Sequence, residues 1–289
     1  AGLQAIDTEK VVKESISLDE NVFTVQGQEF SLSLIQKIFI VGVGKCSARA
    51  AHTLESILGE KLSGGFVLDV SETYASEKVT YLLGDHPFPS QKNVFATAKI
   101  ITLLESLNEN DLVIFVISGG GSVLLTQPKG STVENEIALT KELFEKGATI
   151  QELNTVRKHI SLARGGNLSK YAHPAQSISL IFSDVPGDDI SFIASGPTVK
   201  DITTIVDADA VLKKYSIKSI SAEVFIETPK EDMYFENAKN FLLVSNEVAL
   251  RAMAEKATGE GYNVHLTDSN LVGEAKDVGK KIVEDLHFA

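Results

Sequence analysis

Six short stretches of the chain are apolar at almost every position, and each ends at a glycine, serine, aspartate or proline: 37–43, 65–70, 79–83, 111–117, 177–182 and 241–244. Their length and β-branched content predict strands, and the lack of polar alternation predicts burial on both faces. Between them, apolar positions recur at helical spacing. Ala48, Ala51, Leu54 and Leu58 form one stripe, and Val94, Ala98, Ile101 and Leu104 a second. Val133, Ile137, Thr140 and Phe144 form a third, and Ala249, Ala252, Met253 and Ala257 follow the last strand. Each stripe predicts a helix with one face on the core. Strands alternating with such helices predict an α/β fold: a three-layer α/β/α, Rossmann-like domain on a mainly parallel sheet, with right-handed crossovers. Ligands of such sheets bind at the carboxyl ends of the strands, so function is expected just after them. Val278 and Ile282 predict a closing helix over 273–286.

Two connections break this rhythm. Residues 183–204 hold Pro186, Pro197, Gly187 and Gly196 among clustered Asp and Ser, too long for an idle turn and therefore a candidate functional loop. Residues 218–237, with Pro229 and mixed charge, read as a surface excursion.

Composition narrows the function classes. The 289 residues include 43% apolar and 23% charged positions, enough for a sizeable core, and show neither a repeat nor a low-complexity tract. The longest apolar runs, such as 112–117, fall far short of the roughly 20 residues that cross a bilayer. No secretory signal is read in residues 1–10. One cysteine cannot form an internal disulfide, and six histidines without HExxH or CxxC spacing give no structural zinc, so a cytoplasmic, reducing setting is expected. A net charge of −12 argues against nucleic acid and anionic membranes as partners. Cations that meet an anionic ligand must then be local.

Candidate chemistry gathers where the strands stop. After the first comes Val41-Gly42-Val43-Gly44-Lys45-Cys46-Ser47-Ala48, whose glycines allow a tight turn and whose following helix is expected to aim free amides at a phosphate or carboxylate. A Walker A loop would need glycine at Phe39, so that reading fails. A loosened dinucleotide fingerprint survives in Gly42, Gly44 and Ala48, with Asp69 closing the second strand. Cys46 reads as a small filler more readily than as an activated thiol. His86, in Asp85-His86-Pro87-Phe88-Pro89, is a donor to an anion or a surface histidine in a rigid turn. Ser118-Gly119-Gly120-Gly121-Ser122 follows the most apolar strand and exposes three unobstructed amides, a nest for phosphate or carboxylate oxygens. Asn154, Arg157, Lys158 and His159 crowd one and a half helical turns, where Arg157 suits a forked oxyanion and Lys158 points elsewhere on the helix. Asp184 and Asp188, at another strand end, are the acids placed to hold Mg²⁺ beside phosphate, with Asp189 a cap for the next segment. Ser195 lies in a second small-residue turn, Ile193-Ala194-Ser195-Gly196-Pro197-Thr198.

In order, these segments read GKxS/A, GDHPxP, SGGGS, NTVRKHxSxxxGG, SDVxGDD and IASGPT, followed by Ser245-Asn246 and Gly273-Glu274-Ala275. The series resembles the N-terminal region of the class II glycerate kinases, the MOFRL-associated family once labelled hydroxypyruvate reductases, from Val41 to Ala275. The resemblance implies ATP- and Mg²⁺-dependent phosphorylation of D-glycerate to 2-phosphoglycerate. It implies a cleft between this Rossmann-like domain, residues 1–289, and a smaller C-terminal MOFRL domain whose glycine-rich and GRNQE-type motifs are not in this sequence. Such a domain would complete the cleft in cis or in trans, and a homodimer is compatible with the sequence. Carried residue by residue, Lys45 is the key catalytic lysine. The glycine turn 118–122 and the Asn154, Arg157 and Lys158 cluster hold substrate carboxylate or phosphate, with His86 and Ser195 beside them. Asp184 and Asp188 take the metal or the nucleophilic hydroxyl, a division that is our own expectation. Three positions depart from the family pattern: Cys46 for alanine, Ser90 for aspartate and Arg164 for lysine.

Two rivals stand beside the kinase. One is an NAD(P)H-dependent hydroxypyruvate reductase, with His86 its sole candidate proton donor. The other is a domain that binds a small anion or a partner chain without catalysis.

Overall fold

The computed structural model describes residues 1–71, 73–266, 271 and 273–286. The chain opens with helices α1 (Gly2–Ala5) and α2 (Thr8–Ser15) and an antiparallel meander of β1 (Ile16–Asp19), β2 (Val22–Val25) and β3 (Gln28–Ser31). The apolar pattern misses this sheet because each strand has only four residues. Its local signal is the two-residue turn Gln26-Gly27, with φ of 47° and 81°, the mirror-image turn that suits hairpin twist.

The main body then alternates. In order come β4 (Lys37–Val43), α3 (Ser47–Leu58), β5 (Leu62–Asp69), β6 (Val79–Leu83), α4 (Gln91–Glu105) and β7 (Asp111–Ser118). After these come α5 (Gly121–Leu124), α6 (Val133–Glu145), α7 (Ile150–His159), α8 (Asn167–Ala172), β8 (Gln176–Phe182) and α9 (Ile205–Lys214). The chain continues through β9 (Ala238–Val244), α10 (Asn246–Gly259) and α11 (Ala275–Leu286). All six predicted strands are found, within three residues at either end. They form one sheet in the order β6-β5-β4-β7-β8-β9, every neighbouring pair parallel. Counted along the chain this is the 3-2-1-4-5-6 order of a doubly wound sheet, and its direction reverses between β4 and β7.

Both faces of the sheet are covered, as the unbroken apolar strands require; all eight residues of β7 are buried. On one face Val11 and Val12 of α2 and Ala51 and Leu54 of α3 pack on Ile40 and Ile114. On the other Ile100 and Leu104 of α4 and Leu168 of α8 pack on Val41, Val113 and Phe115. A separate core joins Leu139 and Leu143 of α6, Val156 of α7 and Leu212 of α9. Ser90, the departure from aspartate, caps α4: its hydroxyl accepts the Lys92 amide at 3.1 Å, and Asn93 returns the bond to the Ser90 amide. Residues 218–237 are more than a surface excursion, since Thr228 is buried and donates to Asp201 at 3.1 Å. Among the described residues no helix is long and apolar enough to cross a membrane.

Candidate functional site

At the reversal point the ends of β4 and β7 are pressed together. Gly44 has φ +128°, and a Cβ there would stand 2.1 Å from Ser118 Oγ. The Lys45 amide donates to the Gly119 carbonyl at 2.9 Å and the Cys46 amide to Ser118 Oγ at 3.3 Å. These bonds correct one expectation. The amides entering α3 are not free for an anion, because Ser47 donates to Gly44 O and Ala48 to the Asp69 carboxylate at 3.1 Å. What this turn offers a ligand is the exposed Lys45 side chain, for which no ion pair exists among the described residues.

Opposite lies the glycine turn. A Cβ on Gly120, whose φ is +84°, would come within 3.0 Å of Cγ and Cε of Lys45, and one on Gly119 would stand 1.9 Å from Asp184 Oδ2. Only hydrogen at these two positions lets the lysine stem and the carboxylate close on the turn from β4 and β8. Among the described residues the amides of Gly120, Gly121 and Ser122 donate to no backbone carbonyl, so they remain available to oxygen ligands. Lys45, Gly119, Ser118 and Asp184 share a hollow of about 300 Å³.

The other predicted residues divide. His86, exposed at the end of β6, has its pKa pushed below the ordinary value by partial burial and then by the Lys45 ammonium, which sets it near that group. Asp188 sits at φ +53° with a buried Oδ1 that has no hydrogen-bond partner among the described residues. Asp189 caps the Ser191 amide at 2.8 Å, as expected. Ser195 is wholly buried in a left-handed conformation, φ +60°, with its Oγ 2.9 Å from both Asn154 Oδ1 and Ser122 Oγ. With one proton to give, it donates to the amide oxygen and accepts from Ser122. Asn154 and Ser195 thus brace the glycine turn from behind rather than line the hollow.

Arg157 and Lys158 also lie away from that lining. Lys158 Nζ donates to Asp201 Oδ1 at 3.1 Å in a buried pair that also receives the hydroxyls of Thr203 and Thr228. Arg157 is buried, donates to Thr140 at 3.2 Å, and among the described residues has no partner for its Nε. Burial, and then the neighbouring Arg164, pushes its pKa down to about 10. Arg164, the departure from lysine, reaches Glu136 at 2.6 Å and Thr126 at 3.0 Å from one Nη2. The Cys46 thiol is pushed up by burial, against the hydroxyls of Ser118 and Thr8, so the filler reading holds. Asp69 is wholly buried, its carboxylate taken by the Ala48, Val70 and Ser71 amides. A ribose therefore cannot reach the acid that the dinucleotide fingerprint would need.

Residues 1–226 match the family described as "Domain of unknown function (DUF4147)". The chain belongs to this family. The chain is similar to a glycerate 2-kinase from Pyrococcus horikoshii, 35% identical over 96% of this chain and 64% of its own length. A second relative, from Agrobacterium vitis, is 39% identical over 83% of this chain and 56% of its own, and is named only provisionally as a hydroxypyruvate reductase. The crystal structure of a glycerate kinase from Thermotoga maritima superposes with a TM-score of 0.78 at 32% identity, over 91% of this chain and 61% of that one. The chain spans less than two thirds of the length of each of these relatives.

Sequence reasoning missed Ile6, Thr8, Phe182 and Val244 as lining of the hollow. Ile6 and Thr8 lie more than 100 residues before the glycine turn, in a helix start without a motif, and no local pattern brings them there. It also missed Asp201, whose role depends on three distant segments meeting.

Proposed function

We propose that this chain carries the N-terminal part of a glycerate 2-kinase active site, in which ATP phosphorylates D-glycerate to 2-phosphoglycerate. The observation that carries the reading is the convergence of Lys45, the glycine turn and Asp184 on one hollow at the sheet's reversal point. Phosphoryl transfer asks for positioning and charge neutralisation more than for covalent chemistry. The Lys45 ammonium, laid over Gly120, neutralises charge on the transferring group, while the amides of Gly120, Gly121 and Ser122 receive its oxygens. Asn154 and Ser195 hold that turn in register, and Asp184, against Gly119, orients the attacking hydroxyl.

Among the described residues no cluster of three or more His, Cys, Asp and Glu forms a metal centre. Two acids suit Mg²⁺ that arrives with a nucleotide and keeps its waters and phosphate oxygens, and the unpartnered Asp188 Oδ1 fits that use. Held by Asp184 and Asp188, Mg²⁺ would add further charge neutralisation. The proposal includes a MOFRL domain, in cis or in trans, that closes the cleft. The single unactivated thiol supports a cytoplasmic setting.

Incubation with ATP, Mg²⁺ and D-glycerate is expected to give ADP and 2-phosphoglycerate, and incubation with NADH and hydroxypyruvate no oxidation of NADH. Product in the second mixture alone would replace the kinase with the reductase, whose support is Gly42, Gly44 and the relative's provisional name. Silence in both, with glycerate or ATP still raising the melting temperature, would leave an anion-binding domain.

A further inference from the structure

Asn93, in the first turn of α4, has no exposed surface and uses all four hydrogen-bonding positions of its side-chain amide. Its Oδ1 accepts the Asp85 amide at 2.9 Å and the Ser90 amide at 3.1 Å. Its Nδ2 donates to the Asp85 carbonyl at 3.1 Å and to the Val123 carbonyl at 3.2 Å. Two N–H groups face the oxygen and two carbonyls face the nitrogen, so one orientation of the amide satisfies all four. The Ser90 bond belongs to the cap of α4. The other three tie the residue before His86 to the carbonyl end of α5, the short helix that begins in the glycine turn.

Neighbouring contacts close the same junction. Thr97, one turn further along α4 and also buried, donates to the Leu124 carbonyl at 3.4 Å. The end of β6 is pressed on α5: a Cβ on Gly84 would stand 2.6 Å from Leu124 Cδ2 and 3.2 Å from Asn93 Nδ2. The His86 turn and the glycine turn are therefore one packed unit. Across it the Lys45 stem lies on Gly120, and the Lys45 ammonium acts on the His86 imidazole.

A helix cap alone asks for less. The returning bond to the Ser90 amide needs one acceptor, whereas here the amide nitrogen is buried between two carbonyls that no cap requires. We infer that Asn93 is a positioning residue for phosphoryl transfer: it fixes His86 against the glycine turn, so that the imidazole and the amides of Gly120 and Gly121 meet the same bound oxyanion. Asn93 touches neither substrate nor the reacting atoms and acts through the two turns it joins. The inference rests on the phosphoryl-transfer reading for the identity of that oxyanion; the clamp itself rests on the hydrogen bonds.

Three variants separate the clamp from the cap. Asn93→Asp keeps an acceptor for the Ser90 and Asp85 amides and loses both donors. Gly84→Ala leaves Asn93 in place and wedges β6 away from α5. Ser90→Ala removes the capping hydroxyl and leaves the bonds to Asp85 and Val123. Turnover of ATP and D-glycerate is to be measured for each, and the His86 imidazole followed by NMR with and without Lys45→Met. Asn93→Asp is expected to lower kcat by about 10²-fold and Gly84→Ala by about tenfold, with KM for D-glycerate within about twofold, because a displaced turn spoils alignment more than binding. Ser90→Ala should lower the melting temperature and leave kcat unchanged. In the otherwise unaltered protein Lys45→Met should raise the His86 titration midpoint, since a neighbouring positive charge is lost. In Asn93→Asp and Gly84→Ala that rise should be less than about half as large. Unchanged kcat in both clamp variants, an equal loss of kcat in Ser90→Ala, or a Lys45 effect on His86 that keeps its full size overturns the inference and leaves Asn93 a helix cap. Should Asn93→Asp not fold, Gly84→Ala decides by the same readouts. If the protein phosphorylates glycerate and the clamp variants behave like it, this inference falls while the kinase reading stands. If the clamp variants lose the Lys45 effect and the unaltered protein transfers no phosphate, the clamp stands and the kinase reading falls.

Discussion

Gly119 and Gly44 face the same junction, yet replacing each by alanine should do opposite things. At Gly119 the φ is not in the left-handed region, and the three atoms nearest the new Cβ all belong to the Asp184 side chain: Oδ2 at 1.9 Å, Cγ at 2.4 Å and Oδ1 at 2.8 Å. Asp184 is exposed, so its carboxylate can rotate away at a cost of about 1 kcal/mol, near 2 °C in melting temperature for a chain of this size. The loss falls on function. A carboxylate displaced by more than an ångström from the turn should cost about 10²-fold in kcat/KM. At Gly44 the new Cβ carries φ +128° and meets Ser118 Oγ at 2.1 Å and the Ser118 carbonyl at 2.6 Å, where backbone must move. Strain and overpacking together cost about 2–5 kcal/mol, or 4–10 °C. Scanning calorimetry alongside ATP-to-glycerate turnover separates the two. Equal destabilisation by both substitutions, or a Gly119→Ala protein with unchanged turnover, would refute the packing of Asp184 against the turn.

Further outcomes follow from the same geometry. Lys45→Met should leave the melting temperature within about 1 °C, since the side chain is exposed and has no ion pair among the described residues, and lower turnover by roughly 10³-fold; near-normal turnover by the folded variant would remove Lys45 from the mechanism. Asp184→Asn with Asp188→Asn should weaken Mg·ATP binding far more than binding of ATP without metal, read by calorimetric titration, and equal affinity for both would reject the metal assignment. Asp201→Asn leaves Lys158 buried without its counter-charge and should cost about 3–5 kcal/mol of unfolding free energy in urea; a loss below about 1 kcal/mol would show that the pair does not hold the loop. Acid should unfold the protein through depressed carboxylates. Lys146 holds Glu142 at about 2, and Lys214 holds Glu152 at about 2. Burial pushes Asp201 up, but Lys158 and Thr203 outweigh it and leave it below the usual value. These groups bind protons less readily folded than unfolded, so their stabilisation is present above about pH 4 and lost as pH falls toward 2. A melting temperature flat from pH 5 to 2 would contradict this.

The sheet was legible because its strands are apolar on both faces, a pattern that few other architectures produce. The four-residue strands β1, β2 and β3 were not, since alternation over four positions carries little information. The meeting of Lys45 with the glycine turn was legible because close backbone approach requires glycine itself. Ser195 and Asn154 carry residue types that suit a ligand, while in the fold burial turns them toward each other and Ser122. Lys158 illustrates the same limit. A lysine in a basic cluster looks free until Asp201, 43 residues later, is seen to hold it. The fingerprint at Gly42 and Gly44 failed likewise, because Asp69 commits its carboxylate to the amides of its own turn and of α3.

A crystal structure of the protein with a non-hydrolysable ATP analogue, Mg²⁺ and D-glycerate tests most directly whether these strand ends form a phosphoryl-transfer site. Phosphate oxygens are expected within about 3 Å of Lys45 Nζ and of the Gly120 and Gly121 amides, with the glycerate hydroxyl beside Asp184. A nucleotide seated elsewhere, with Lys45 and the glycine turn touching no phosphate, would contradict it.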